Sequence, residues 1–187
     1  DDAGRVTPNF SGWAAFDAAI ERRLGGNHAS GVAVMVAGEV VHAAAFGERV
    51  PGDPTEVTDR FRVASISKTI TAITALRLVD DGVVGLDDPI GDRVAAYVGV
   101  IPTDPDVAGL TLRRLLSHTT GFAKSENLYF GNGAVSCADA ASRVLAGSVP
   151  PGAGYRYSNS NYCVAGLLIE ALTGKAYERV VHEQLLD

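Results

Sequence analysis

Apolar residues recur at helical spacing near the start of the chain. Trp13, Phe16, Ile20 and Leu24 share one face, and Gly25-Gly26 ends the helix they predict. Next, "GVAVMVAGEVVHAAAFG" carries two runs rich in Val and Ala around Ala37-Gly38-Glu39. This pattern predicts an antiparallel hairpin with a short glycine turn. Residues 48 to 60, rich in Pro, Gly and Asp, read as a loop. "RVASISKTITAITALRLVDDG", residues 62 to 82, reads as one apolar helix, with Gly82 and Gly85 as its stop.

Turn signals then alternate with shorter helices. "LDDPI" and "PTDPDVAG" are loop-like, and Thr111 is placed to cap "LRRLLSH", which stops near Gly121. Ser136 with Asp139 resembles a capping box opening a helix that runs to Ala146. "VPPGAGYRYSNSN" is a turn-rich entry into "YCVAGLLIEALTG", a helix closed at Gly174, and "AYERVVHEQLL" predicts a last amphipathic helix. Two strands among many helices describe an α+β protein. Two strands alone make a poor sheet, so further strands are expected from outside this sequence.

Composition narrows the class. The 187 residues suffice for one domain with a core, and 47% hydrophobic with 20% charged residues fits a globular protein. A net charge of -6, with scattered basic residues, offers no footprint for nucleic acid. The richest apolar stretch, Gly31 to Gly47, is broken by Glu39 and His42, so no membrane span is expected. The chain opens on Asp1-Asp2-Ala3-Gly4 without an initiator methionine. That start fits a processed protein and an extracytoplasmic or secreted location, with a cytoplasmic one left open. His28, His42, His118 and His182 show no ligand spacing, so no metal is expected. No phosphate-binding glycine loop and no Gly-x-Ser-x-Gly elbow occur, and no cofactor is implied.

One charge stands out. Between Arg62 and Arg77 the sole ionisable residue is Lys68, three positions after Ser65. Residues i and i+3 share a helix face, so Lys68 can reach the Ser65 hydroxyl. A serine becomes a good nucleophile when a base takes its proton, and a lysine held away from water becomes such a base near neutral pH. The helix N-terminus would also favour an oxyanion beside Ser65. The plainer reading makes Ser65 a cap and leaves Lys68 in solvent. A second cluster, Tyr157, Ser158 and Asn159, opens another apolar helix. Tyr157 could share a proton with Lys68 and Asn159 could hold a substrate amide, although both types are also common turn residues.

Together "FRVASISKTITA", "GLDDPI", "LRRLLSHTTGF" and "YRYSNSNYCVAGLLIEALTG" resemble, in order and spacing, the signatures of the serine β-lactamase-related family. That family comprises class C β-lactamases, DD-peptidases and allied esterases. The resemblance implies a β-lactamase/transpeptidase-like fold, with a helical region and an antiparallel sheet. It implies Ser65 as acylated nucleophile, Lys68 as its activating partner, Tyr157 as the second member of the base pair and Asn159 as a substrate-positioning residue. Tyr at 157 points to the class C and DD-peptidase branch. His118, in "HTTG", belongs to a structural signature and receives no catalytic role.

Departures from the family pattern shape the remaining expectations. The third motif, a Lys-Thr-Gly or His-x-Gly triplet on a strand, is absent, and "LTGK" at 172 to 175 has the wrong order. Residues 1–187 are therefore expected to be the N-terminal portion of one catalytic domain. A longer chain or a second polypeptide would supply the missing strands. "ENLYF" in "SENLYFGNG" is close to a tag-removal site, but Gly131 stands where that site needs Gln, so we read a natural loop. Cys137 and Cys163 are too few for a disulfide scaffold. A bridge between them would pin the segment before Tyr157, and two buried thiols are the alternative. The expected activity is serine hydrolysis of a β-lactam, a D-Ala-D-Ala-type peptide or a small ester. The alternative is a non-catalytic binder of cell-wall peptide or of a partner chain.

Overall fold

The computed structural model describes residues 12–24, 28–122, 135–147 and 154–186. Gly25-Gly26 and the "SENLYFGNG" segment lie outside the described residues. The chain forms two compact units, Asp1–Arg62 and Val63–Asp187.

In the first unit, α1 (Trp13–Leu24) precedes a hairpin of β1 (Ser30–Val36) and β2 (Glu39–Phe46). The strands pair from Ser30↔Phe46 to Val36↔Glu39, and the register slips between Val34 and Met35 so that Val41 is the extra residue. Ala37 and Gly38 form the two-residue connection with φ of 51° and 84°. Positive φ at both positions is what a type I′ turn requires, because its twist matches that of the strands. Ala tolerates this region poorly. Ala37→Asn should therefore stabilise the hairpin by about 0.5–1 kcal/mol, read as a higher thermal midpoint.

Trp13 stacks on His42 with ring centroids 4.2 Å apart, and His42 Nε2 lies 2.7 Å from Asp17 Oδ1. These contacts fix α1 against β2. The segment expected to be a loop at 48–60 instead contains a short ribbon of β3 (Glu48–Val50) and β4 (Asp53–Pro54). Charged side chains hold it. Arg49 bonds Asp53 at 2.7 Å and Asp59 at 2.8 Å, and the Glu48 carboxylate accepts the Gly52 N–H at 2.8 Å. A period-2 hydrophobic pattern, the usual strand signal, has no part in this.

The second unit holds the buried apolar core found among the described residues. A 3-10 turn at Ala64–Ile66 leads into α2 (Ser67–Asp80), so the helix expected from residue 62 begins later and tighter. After α3 (Gly91–Tyr97) and α4 (Leu112–Leu116) come α5 (Cys137–Leu145), α6 (Asn159–Thr173) and α7 (Tyr177–Val181). The wider π-type turn His182–Leu186 replaces the end of the last expected helix. Thr111 caps α4, and Ser136 with Asp139 forms the capping box of α5. α6 is the hub: Val164, Ala165, Leu168 and Ile169 are buried, and it packs against α2, α3, α4, α5 and α7.

α3 was not foreseen, being short and opened by a glycine. Gly91 lies so close to the chain that a Cβ there would sit 1.7 Å from the Val107 carbonyl oxygen. Only glycine allows that approach. α2 also departs from expectation, since it is not enclosed on all sides. It buries Thr71, Thr74, Ala75 and Leu78, whereas Ile66 is 65% and Ile73 44% exposed. No helix among the described residues is long and apolar enough to cross a membrane.

Candidate active site

Ser65 lies in the 3-10 turn, directly after Ala64, whose φ of 44° is in the left-handed region. For a residue with a side chain this conformation is strained, and such strain tends to collect where a neighbouring group must be presented. Lys68 follows in the first turn of α2. Tyr157 and Asn159 stand at the entry to α6, where extended backbone through Ser158 turns into helix.

The fold brings the four side chains together. Ser65 Oγ lies 2.7 Å from Tyr157 Oη, and Lys68 Nζ donates to Ser65 Oγ at 3.2 Å and to Asn159 Oδ1 at 2.7 Å. Lys68 Nζ also lies 4.9 Å from the Tyr157 ring centroid and 5.7 Å from that of Tyr162, within reach of cation–π attraction. Ser65 is exposed and Lys68 half-buried, so the apolar enclosure expected for the lysine is replaced by polar and aromatic partners. The Ile66 N–H bonds the Val63 carbonyl, and the Ser67 N–H reaches the Ala64 and Ser65 carbonyls. These amides of the first turn are already engaged, which narrows the general helix-end site expected for an oxyanion.

A cavity of about 1000 Å³ opens beside Ser65, lined by Lys68, Tyr157, Asn159, Thr71, Glu170 and the Cys137–Cys163 pair among others. Cys137 and Cys163 are joined by a disulfide. Deeper in, Tyr177 ties the helices together. Thr71 Oγ1 donates to the Ser67 carbonyl, so the Tyr177 hydroxyl, 2.7 Å away, donates to Thr71. Glu170 accepts the Tyr177 N–H at 2.8 Å and the Tyr97 hydroxyl at 3.1 Å. These links register α2, α3, α6 and α7 on one another.

Sequence reasoning assigned no role to Thr71 and Tyr162, although both lie within the quoted signatures, nor to Tyr177 beyond them, and it gave His118 no part in the site. His118 is buried, 7% exposed, beside Tyr157. Burial holds its imidazole below the ordinary value of 6.5, and the nearby Lys68 charge adds to this. The fold thus favours the neutral ring, and the unfolded chain takes up this proton at higher pH than the folded one. The associated stability is complete above 6.5 and is lost as pH falls through the folded-state value. Urea midpoints measured between pH ~8 and ~5 should fall for the wild type and fall less for His118→Asn.

Comparison with known proteins places the chain in a family. The family model described as Beta-lactamase matches residues 16–187, and the chain belongs to the β-lactamase family. It is 31% identical to penicillin-binding protein 4 of Amycolatopsis lactamdurans, over 82% of this chain and 41% of that protein. It is 30% identical to penicillin-binding protein 4* of Bacillus subtilis, over 82% of this chain and 35% of that protein. Among solved structures, a D-stereospecific amidohydrolase from Streptomyces sp. superposes with a TM-score of 0.71 at 27% identity, covering 93% of this chain and 53% of that one. The fold is therefore β-lactamase/transpeptidase-like. The chain spans roughly two fifths of the length of the two penicillin-binding proteins it matches.

Proposed function

We propose that the full-length protein is a serine hydrolase that works through an acyl-enzyme on Ser65. One observation carries the reading: Ser65 Oγ is within hydrogen-bond reach of both Tyr157 Oη, at 2.7 Å, and Lys68 Nζ, at 3.2 Å. With Lys68 donating to Oγ, the hydroxyl proton of Ser65 is free to point at Tyr157 Oη. In the reacting form Tyr157 is the phenolate, stabilised by the adjacent lysine charge, and its oxygen takes up that proton to become the phenol as Oγ attacks a substrate carbonyl. The proton then passes to the leaving group, and the same pair activates the water that releases the acyl group. Asn159 lines the cavity, and with its Oδ1 held by Lys68 its amide N–H₂ is the group it would offer to a substrate carbonyl.

The relatives narrow the substrate class. Two are named for binding penicillin, and a structural neighbour is a D-stereospecific amidohydrolase. These support a lactam or amide carbonyl, as in a β-lactam or a D-Ala-D-Ala-type peptide, ahead of a simple ester. The disulfide supports an extracytoplasmic location, because such bonds persist in oxidising compartments. The test is labelling of the full-length protein with a fluorescent penicillin and a fluorophosphonate, followed by peptide mapping. An adduct on the Ser65 peptide is expected. No serine adduct from either probe would overturn the reading in favour of a non-catalytic binder on this scaffold.

A further inference from the structure

For proton transfer from Ser65, Tyr157 has to be aimed at it. Tyr157 precedes α6 in extended backbone, where no helical hydrogen bond holds it. Besides the bond of its hydroxyl to Ser65, it is held through the chain on either side by His118, just beyond α4. The His118 carbonyl accepts the Arg156 N–H at 2.8 Å, and its Nδ1 accepts the Ser158 N–H at 3.3 Å. One residue therefore grips the chain on both sides of Tyr157. Its ring also carries the tyrosine ring, with centroids 4.5 Å apart and planes tilted by 33°.

The network behind the imidazole settles its tautomer. A backbone N–H can only donate, so Nδ1 is the unprotonated nitrogen. Asn161 Nδ2 donates to the same atom at 3.0 Å, while Asn161 Oδ1 accepts from Thr120 Oγ1 at 2.6 Å. The Phe122 N–H bonds Thr120 Oγ1 at 3.2 Å. This chain of bonds is buried, where an unmade one is expensive, and it ties the loop after α4 to the first turn of α6.

We infer that His118 is a positioning residue for Tyr157, bracketing it through residues 156 and 158 and so setting the distance of its phenol oxygen from Ser65. Three properties meet at this position. The backbone has φ of 57°, a region in which His and Asn are enriched among non-glycine residues. An acceptor is needed at the Nδ1 site, and a flat face is needed against Tyr157. Asparagine supplies the first two, phenylalanine the last and glycine the first alone. The physical claim stands on the contacts; only its consequence for catalysis rests on the acyl-enzyme reading.

The test uses His118→Asn, His118→Phe and His118→Gly in the full-length protein, with two independent readouts. Tyrosine labelled at Cζ with an NMR-active isotope reports the Tyr157 environment, its signal being assigned with Tyr157→Phe and that of Tyr97 serving as a remote reference. The Tyr157 signal should move in the Gly and Phe variants and return close to its wild-type position in Asn. Acylation should fall roughly 10- to 100-fold in Gly and Phe, as expected for a misplaced catalytic group, and recover by about 10-fold in Asn. A Tyr157 signal unmoved in folded Gly or Phe variants would overturn the inference. If both fail to fold, nitrogen NMR of the wild type decides alone: an Nδ1 of His118 that carries the proton overturns it. Absence of wild-type acylation would count against the acyl-enzyme reading and leave the tyrosine and nitrogen signals to judge His118.

Discussion

Lys68→Met should lower the rate of Ser65 acylation by roughly 10²–10⁴-fold, the range general-base assistance contributes, while the folded structure persists. The lysine makes two bonds that methionine cannot, to Ser65 Oγ and to Asn159 Oδ1. Its loss removes the charge beside Tyr157 and releases the Asn159 amide together. The stem matters less, since methionine has similar length and keeps the packing of the half-buried chain. The buried face of α2, made by Thr71, Thr74, Ala75 and Leu78, is untouched. Ser65→Ala should go further and abolish covalent labelling. Stopped-flow acylation with a chromogenic cephalosporin or an activated ester, with circular dichroism as the control of folding, checks both. An adduct persisting in Ser65→Ala would remove Ser65 from its assigned role, and unchanged acylation in Lys68→Met would remove the lysine.

The disulfide should give the second large effect. Cys137 begins α5 and Cys163 lies in α6, 26 residues on. In the chain-entropy account, closing a loop of that length stabilises the fold by about 3.5 kcal/mol. The double variant Cys137→Ala, Cys163→Ala should lose most of this. α5 should nevertheless stay in place, because it keeps its packing on α6 and its buried face of Ala140, Ala141 and Leu145. Cys163 stands one helical turn after Asn159, so loosening it should also slow acylation modestly. Urea unfolding measures the first effect, and thiol titration of the unreduced, denatured protein tests the bridge itself. Two free thiols in that titration, or an unmoved urea midpoint in the double variant, would contradict the expectation.

What the sequence by itself determined is local. The hairpin around Ala37-Gly38, the Thr111 and Ser136 caps, the closure at Gly174 and the shared face of Ser65 and Lys68 all follow from interactions within a few residues. Backbone periodicity and capping chemistry are readable at that range. The motif order carried the family and the fold. Weak local signals were missed: α3 has only seven residues, and the 48–54 ribbon rests on Arg49, Asp53, Asp59 and Glu48, with no hydrophobic alternation.

Only the tertiary structure brings the residues of the candidate site together. Tyr157 meets Ser65 across 92 residues, and Asn159 meets Lys68 across 91. Those distances depend on how α6 lies against α2, which Tyr177, Thr71 and Glu170 help to register. The role of His118 depends on the loop after α4 meeting the start of α6. Spacing along a chain states which residues share a helix face. It does not state which face another helix covers, because that is settled by packing and by the pairing of buried polar groups far apart in sequence.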